Sequence, residues 1–152
     1  MDNKVKNLLN EQIMKEFYSA YLYLDMANYY GDEGLEGFQN WFEIQAQEER
    51  DHAMLMRTYL MNNGEKVTLL PIDAPAENYA SFDAPLKKTM EHEKTVTESI
   101  HTIFAAANEI HDYRAMEFLN WFIKEQAEEE KNAGDLIKKY QLFGTDAKGL
   151  YQ

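Results

Sequence analysis

The segment GEKVTLLPIDAPAENYASFDA, residues 64–84, decides the fold that the sequence predicts. All three prolines of the chain lie inside this segment or at its edge, and a glycine opens it, so it interrupts the helical pattern on either side. At about 3.3 Å per residue, about 20 extended residues can run the full length of a helix bundle. A stretch this long without regular structure is unusual in a compact domain unless it has such a task. We therefore predict that it crosses over between two helix pairs.

On both sides of the crossover, apolar residues recur at a spacing of three and four, which is typical of amphipathic helices. Each predicted helix is about 40 Å long, and the four cover residues 3–30, 37–63, 85–111 and 113–140. Short connections make the helices of each pair antiparallel neighbours. We therefore predict an all-α four-helix bundle in one domain, residues 1–152, with a C-terminal tail over residues 141–152.

The composition limits the classes of function. The chain has 152 residues, of which 45% are apolar, so it can bury a core of its own. It lacks cysteine, which excludes disulfides, thiolate iron centres and cysteine nucleophiles. Its 15 basic and 27 acidic residues give a net charge of −12, which argues against non-specific nucleic-acid binding and suits the handling of cations. No stretch resembles a membrane span or a signal peptide, so we expect a cytoplasmic protein without a membrane or nucleic-acid partner.

The two halves of the chain repeat one another. The tripeptide NWF at residues 40–42 recurs at residues 120–122, and the glutamate pair at residues 48–49 recurs at residues 128–129, at the same offset of 80. We interpret this repeat as a duplicated helix pair whose halves have diverged. A symmetric site in such a bundle should draw on both halves.

Each predicted helix carries one glutamate near the middle of its apolar stripe: Glu16, Glu49, Glu93 and Glu129. Buried carboxylates repel one another, and desolvating each one is costly unless it is compensated. No lysine or arginine is evident on these stripes to neutralise them. Protons could neutralise some of the glutamates, but multivalent cations would do so better. The pattern therefore predicts a metal site at the middle of the bundle.

Glu49 and His52 are three residues apart, so both side chains reach one site from one helical face. A bundle builds a di-metal site from one glutamate on each of two helices and Glu-x-x-His motifs on the others. We expect Glu16, Glu49 and His52 to hold one metal. Oxygen ligands with one imidazole suit iron or manganese and do not exclude zinc.

The second half of the chain has Asn132 where the repeat would place another histidine. The other metal should therefore have carboxylate ligands only, from Glu49 as a bridge, Glu93 and Glu129, with Gln126 nearby. We expect this metal to be held less firmly. This favours a site through which iron passes, rather than a site that keeps both metals. Glu-x-x-His alone is a common chance pattern, and the prediction depends on four helices, four glutamates and one histidine occurring together.

A second acidic set lies within one residue or one turn of the first: Glu48, Glu125 and Glu128. It predicts a third metal position, although such a run is equally typical of a solvated helix face. Tyr23 faces inward and, taken alone, fits a core tyrosine with a satisfied hydroxyl. We expect Trp41 and Trp121 to pack rather than bind a cofactor. The remaining histidines show no partner pattern and are expected at the surface: His92, His101 and His111.

In combination and spacing, these residues resemble the bacterial non-heme ferritins, and the resemblance covers nearly the whole chain. The motifs that carry it are Glu16 with Tyr23 seven residues on, Glu49-x-x-His52, Glu93, and the run Glu125-Gln126-Ala127-Glu128-Glu129. The resemblance implies a ferritin-like bundle with a ferroxidase centre. Its first iron would be held by Glu16, Glu49 and His52. Its second would be held by Glu49, Glu93 and Glu129, with Gln126 close by.

The same resemblance implies a third iron site at Glu48, Glu125 and Glu128, with Glu129 shared, and it places Tyr23 beside the centre. The implied activity is oxidation of Fe(II) by dioxygen or hydrogen peroxide. The implied product is a ferric oxyhydroxide mineral, stored inside a hollow shell of 24 subunits.

Related families fit the chain less well. Bacterioferritin-like proteins carry a second Glu-x-x-His and a heme-binding methionine, where this chain has Asn132 and Arg50, so no heme is expected. Rubrerythrin-like proteins would add cysteines. The ferritins usually continue into a short fifth helix, which we expect to be missing or truncated here. Two alternatives stay open: a di-iron oxidase or peroxide scavenger that stores no mineral, and a metal-free structural bundle.

Overall fold

The computed structural model describes residues 1–75 and 78–143. In order along the chain, its helices are α1 (Asn3–Asp32), α2 (Glu36–Asn62), α3 (Ala84–Glu109) and α4 (Tyr113–Phe143). α1 packs along α2, α3 packs along α4, and α1 also contacts α3. The predicted all-α bundle of two antiparallel pairs joined by a long crossover is confirmed. α4 runs three residues past its predicted end, and the expectation of a missing fifth helix lies outside the described residues.

The first two helices are each followed closely by a glycine whose backbone angle φ is positive. Gly34 has φ 76° and Gly64 has φ 73°. After Gly64, the N–H of Glu65 donates to the carbonyl of Leu60 at 2.9 Å, which satisfies a carbonyl that the helix leaves open. Glycine adopts this left-handed conformation without the steric cost that a Cβ imposes. The two glycines therefore fix where the chain reverses and where the crossover begins.

The crossover lies along α1 and is attached to it near both ends. The N–H of Thr68 donates to Asn10 Oδ1 at 2.9 Å, and Asn10 Nδ2 donates to the carbonyl of Lys66 at 3.5 Å. Near the other end, the Tyr30 hydroxyl donates to the carbonyl of Phe82 at 2.5 Å. These α1 side chains therefore supply hydrogen-bond partners for the crossover backbone at Lys66, Thr68 and Phe82. The crossover thereby traverses the bundle, as its length predicts.

The core consists of two apolar halves with a polar layer between them. One half packs around Leu9, Met56 and Leu119, and the other packs around Met26, Tyr30 and Phe42. Between them, buried polar side chains from all four helices form one layer: Gln12, Glu16, Gln45, Glu49, His52, Glu93, Gln126 and Glu129. Among the described residues, no helix combines the length and apolarity that crossing a membrane requires.

Candidate metal centre

Each helix contributes one glutamate to the polar layer, and each of these side chains is 2% exposed or less. The three-and-four spacing of each apolar stripe turns the glutamate inward together with its apolar neighbours. The structure places Glu16 on α1, Glu49 on α2, Glu93 on α3 and Glu129 on α4 at the same height in the bundle. The layer therefore collects four carboxyl groups that water does not reach.

A first group of possible ligands comprises Glu16, Glu49 and His52, whose ligand atoms lie within 4.8 Å of one another. His52 Nδ1 is 3.2 Å from Glu49 Oε2 and 3.9 Å from Glu16 Oε2. Glu16 Oε2 is buried and has no hydrogen-bond partner. A buried oxygen without a partner is uncommon in folded proteins and fits an atom that is positioned to bind a cation.

A second group comprises Glu49, Glu93 and Glu129, again with ligand atoms within 4.8 Å of one another. Glu49 belongs to both groups, so a single carboxylate separates two adjacent candidate positions. The first position offers an imidazole and carboxylates, whereas the second offers carboxylates alone. This is the asymmetry that the replacement of a second histidine by Asn132 predicts.

Tyr23 and Gln126 hold the carboxyl of Glu93. The Tyr23 hydroxyl donates to Glu93 Oε1 in a short hydrogen bond. Gln126 Nε2 donates to Glu93 Oε2 at 3.0 Å and to Thr97 Oγ1 at 3.2 Å. Both Glu93 oxygens therefore have a donor, and the orientation of this side chain is set before any cation binds. The structure thus places Tyr23 in contact with a predicted ligand, beyond a role in core packing.

Two further glutamines were missed as site residues in the sequence. Gln12 Nε2 donates to Glu16 Oε1 at 3.2 Å. Gln45 Nε2 donates to Glu49 Oε1 at 3.2 Å and to Glu129 Oε2 in a short hydrogen bond. Both glutamines lie one helical turn before a ligand glutamate, and residues four apart share a helix face. A glutamine four residues before two of the inward glutamates, Glu16 and Glu49, was the signal that could have identified them.

Burial and mutual repulsion make the carboxyl groups retain protons. Burial, reinforced by the charge of Glu49, raises the pKa of Glu16 well above its usual value. Burial and the neighbouring Glu93 raise the pKa of Glu49 in the same way. For Glu129, burial and then Glu93 raise the pKa to about 9. A cation that binds here therefore displaces protons, and its affinity rises with pH.

The predicted third position is only partly assembled. Glu125 lies within 4.8 Å of both His52 and Glu129 in a third group of possible ligands. Among the described residues, Glu48 and Glu128 belong to none of these groups, and Glu128 is exposed. Burial raises the pKa of Glu48, which has Glu125 as a charged neighbour. The third position therefore remains a prediction for Glu48 and Glu128.

The expectation that His92 lies at the surface was wrong. Its ring sits between α1 and α3, where Nε2 is 2.7 Å from Ser19 Oγ. The ring also meets Tyr23 edge-on, with centroids 5.9 Å apart. Burial lowers the pKa of His92 to about 4, so the ring is neutral. In contrast, His101 and His111 are exposed, as expected.

The two tryptophans pack against neighbouring aromatic rings, as predicted. Trp41 lies 4.9 Å from Phe42 and Trp121 lies 4.9 Å from Phe122 between ring centroids. Trp121 also meets the ring of His52 edge-on at 5.5 Å. Trp121 thus supports the orientation of the one imidazole in the centre.

Comparison with known proteins shows which family and which proteins the chain is similar to. A family model described as a ferritin-like domain matches residues 6–143. A probable bacterial non-heme ferritin-like protein of Haemophilus influenzae is 37% identical, over 99% of this chain and 92% of that protein. A bacterial non-heme ferritin of Campylobacter jejuni is also 37% identical, over 99% of this chain and 90% of that protein. Among solved structures, an open pore ferritin of Archaeoglobus fulgidus aligns with a TM-score of 0.96 and 40% identity, covering 99% of this chain and 93% of that chain.

Proposed function

The chain belongs to the ferritin family, as its resemblance to the bacterial non-heme ferritins predicted, and from this premise we propose that it oxidises Fe(II) and stores the iron. In this proposal, Glu16, Glu49 and His52 bind one Fe(II), and Glu49, Glu93 and Glu129 bind a second. The observation that carries the proposal is that Glu49 belongs to both groups of ligands. Two metal positions that share one carboxylate allow two iron ions to react together.

The ligand chemistry supports oxidation. Carboxylate oxygens are hard anionic ligands, and they favour the smaller, more highly charged ferric ion over the ferrous ion. Two adjacent Fe(II) ions can give two electrons to one molecule of dioxygen, which avoids release of superoxide, or to one molecule of hydrogen peroxide, which avoids release of hydroxyl radical. Tyr23 and Gln126 act as positioning residues through their hydrogen bonds to Glu93. The carboxylate-only position holds iron less firmly than the position with His52, which suits onward transfer.

A third iron position is part of the same proposal. Glu125 and Glu129 approach one another beside His52, and this supports their share of it. Glu48 and Glu128 would complete the set from the exposed side of α2 and α4. Iron at this position would lie next to the pair without occupying either of its two positions.

We also propose that the oxidised iron is deposited as ferric oxyhydroxide inside a cage of 24 copies of this chain. Each copy would form one domain, and the cage would lie in the cytoplasm. The relatives named above are described as ferritins, one of them as an open pore ferritin, and their lengths are almost fully covered by this chain. The net charge of −12 would raise the local concentration of Fe(II) around such a particle.

The test is the amount of iron retained per chain. Excess Fe(II) is added in air, free iron is removed by gel filtration, and iron and protein are assayed in the eluting particle. We expect a large particle with far more iron per chain than the centre itself can bind. Glu49→Ala should oxidise iron much more slowly, whereas Glu43→Ala, an exposed glutamate on the same helix, should match the unaltered protein.

Two other outcomes would reject the proposal in different ways. A few irons per chain, with rapid oxidation, would indicate a di-iron oxidase or peroxide scavenger without storage. No oxidation by the unaltered protein, together with a Glu49→Ala variant of equal or greater stability, would indicate a structural bundle.

A further inference from the structure

Two cavities lie side by side between α1 and α3, on the face of the bundle that we call the α1–α3 seam. The first has a volume of about 390 Å³ and the second about 310 Å³. Three residues line both cavities: Lys15, Thr95 and Ser99. At this junction, Lys15 Nζ donates to Ser99 Oγ at 3.2 Å. The proposed function uses neither cavity.

Both cavities end on side chains that contact the carboxyl cluster. Gln12 lines the second cavity, is 1% exposed, and donates to Glu16 Oε1 at 3.2 Å. His92 lines the first cavity and meets the ring of Tyr23 edge-on. Tyr23 in turn donates its hydroxyl hydrogen bond to Glu93. The second cavity is therefore one side chain, Gln12, away from the cluster, and the first is two side chains, His92 and Tyr23, away from it.

The lining of the seam combines apolar side chains, such as Met14, Val96 and Ile103, with hydrogen-bonding groups. Hydroxyls of Thr95, Ser99 and Thr102 line the cavities. Ser19 Oγ donates to the carbonyl of Lys15 at 2.9 Å, so it accepts from His92 Nε2 at 2.7 Å. This pairing fixes the tautomer of His92 and leaves Nδ1 as an acceptor. Such walls suit a small molecule that both donates and accepts hydrogen bonds.

The charges along the seam change sign between its exposed outer side and its junction. The carboxylates of Asp73 and Glu98 lie at the exposed outer side of the cavities. The ammonium group of Lys15 stands at the junction itself, where it repels a divalent cation and can donate a hydrogen bond to a neutral molecule. Dioxygen is apolar and can use only the apolar part of these walls, whereas hydrogen peroxide can also form hydrogen bonds with the hydroxyls and with Lys15.

We infer that the α1–α3 seam admits hydrogen peroxide to the carboxyl cluster, with Lys15, Thr95 and Ser99 as the residues that select it. This inference rests on the proposed function, which supplies the reductant. Two Fe(II) ions give one electron each to one hydrogen peroxide, the O–O bond breaks, and two protons are taken up. The products are two Fe(III) ions and two water molecules.

The experiment fills the junction and measures oxidation by each oxidant separately. Ser99→Leu places a larger, apolar side chain between the two cavities, while Ser99→Ala loses the same hydroxyl and leaves the space open. Each full-length protein is loaded without air with two Fe(II) per chain and mixed in a stopped-flow instrument with hydrogen peroxide or with dioxygen. We expect Ser99→Leu to slow the peroxide reaction at least five-fold and the dioxygen reaction less than two-fold. Ser99→Ala should slow the peroxide reaction by less than Ser99→Leu does, because it removes the hydroxyl and leaves the space open, and the dioxygen reaction should stay within two-fold of the unaltered protein.

A Ser99→Leu protein that reacts with peroxide at the unaltered rate would overturn the inference, and so would an equal slowing with both oxidants. If Ser99→Leu does not assemble, Thr95→Leu provides the same test from an exposed position that lines both cavities. Failure of the unaltered protein to oxidise Fe(II) with either oxidant would instead reject the proposed function. The two failures are therefore distinguishable.

Discussion

Gln45 on α2 donates a hydrogen bond across the bundle to Glu129 on α4, and the same amide donates to Glu49 on its own helix. One side chain thus ties together two ligand carboxyls from different helix pairs. Gln12 donates to one carboxyl, that of Glu16 on its own helix, and Gln126 on α4 donates to the carboxyl of Glu93 on α3. Amide donors therefore hold the carboxyl layer in place when no cation is bound, and their energetic role should be measurable.

Replacing Gln45 by leucine should destabilise the metal-free protein by about 1–3 kcal/mol, because two buried carboxyls lose their donor. This loss of stability should be smaller when the carboxyl groups bind Zn(II), an ion that has no redox chemistry here. Chemical unfolding with and without Zn(II) measures both effects. Gln47→Leu is a matched control, since Gln47 donates to Asp51 at 3.0 Å with the same four-residue spacing but on the exposed face. Equal losses for the two variants would contradict a special role for Gln45.

The shared position of Glu49 predicts how many metal ions each variant binds. Glu16 belongs to the first ligand group alone and Glu129 lies outside that group, whereas Glu49 belongs to both positions of the pair. In anaerobic calorimetric titrations with Co(II), we expect one tighter and one weaker site per chain in the unaltered protein, only the weaker site in Glu16→Ala, and neither in Glu49→Ala. Glu43→Ala should retain both. Two sites of unaltered affinity in Glu49→Ala would show that this carboxylate does not join the positions.

The carboxyl layer should make the stability of the metal-free protein decrease as pH rises. The pKa of Glu129 is raised by burial and by Glu93 from an ordinary 4.5 to about 9 in the folded protein. Between these values the folded state binds more protons than the unfolded chain, so the free energy of unfolding falls with increasing pH. The melting temperature of metal-free protein should therefore fall from about pH 6 to about pH 9.

Two controls accompany this pH measurement. Glu129→Gln should weaken the dependence, because this side chain no longer titrates while the other buried carboxyls still do. Saturating Zn(II) should reverse it, because the cation replaces the protons. A melting temperature that rises over the same interval would mean that the layer is not protonated when metal-free.

Helical spacing was sufficient to predict the four bundle helices and the inward direction of Glu16, Glu49, Glu93 and Glu129. A carboxylate on an apolar stripe has only one plausible direction once the stripe is assigned. Gln12 and Gln45 were overlooked because an amide on the same stripe can equally be solvated or packed, and only the bundle shows which carboxyl it meets. His92 was misplaced because it lies at the flank of its stripe, and a single chain does not reveal that α1 covers that flank.

In the turn between α3 and α4, His111 occupies the position that Gly64 occupies after α2. His111 has φ 58°, and the next N–H, from Asp112, donates to the carbonyl of Ala107 at 2.9 Å. This is the bonding pattern that Gly64 provides at φ 73°. A side chain in the left-handed region costs about 1 kcal/mol or more, and histidine only partly tolerates it.

Replacing His111 by glycine should therefore stabilise the protein by about 0.5–1 kcal/mol, after the larger chain entropy of glycine is subtracted. Gly64→Ala should destabilise it by about 1 kcal/mol through the backbone alone, because a Cβ there meets nothing within 4 Å. His111→Ala separates strain from side-chain contacts, since alanine keeps the Cβ and removes the ring that lies 6.2 Å from Tyr113. The melting temperature of His111→Gly should thus lie above that of the unaltered protein, and that of Gly64→Ala should lie below it. The melting temperature of His111→Ala should equal that of the unaltered protein. A gain in His111→Ala equal to that in His111→Gly would place the cost in the exposed ring and not in the backbone.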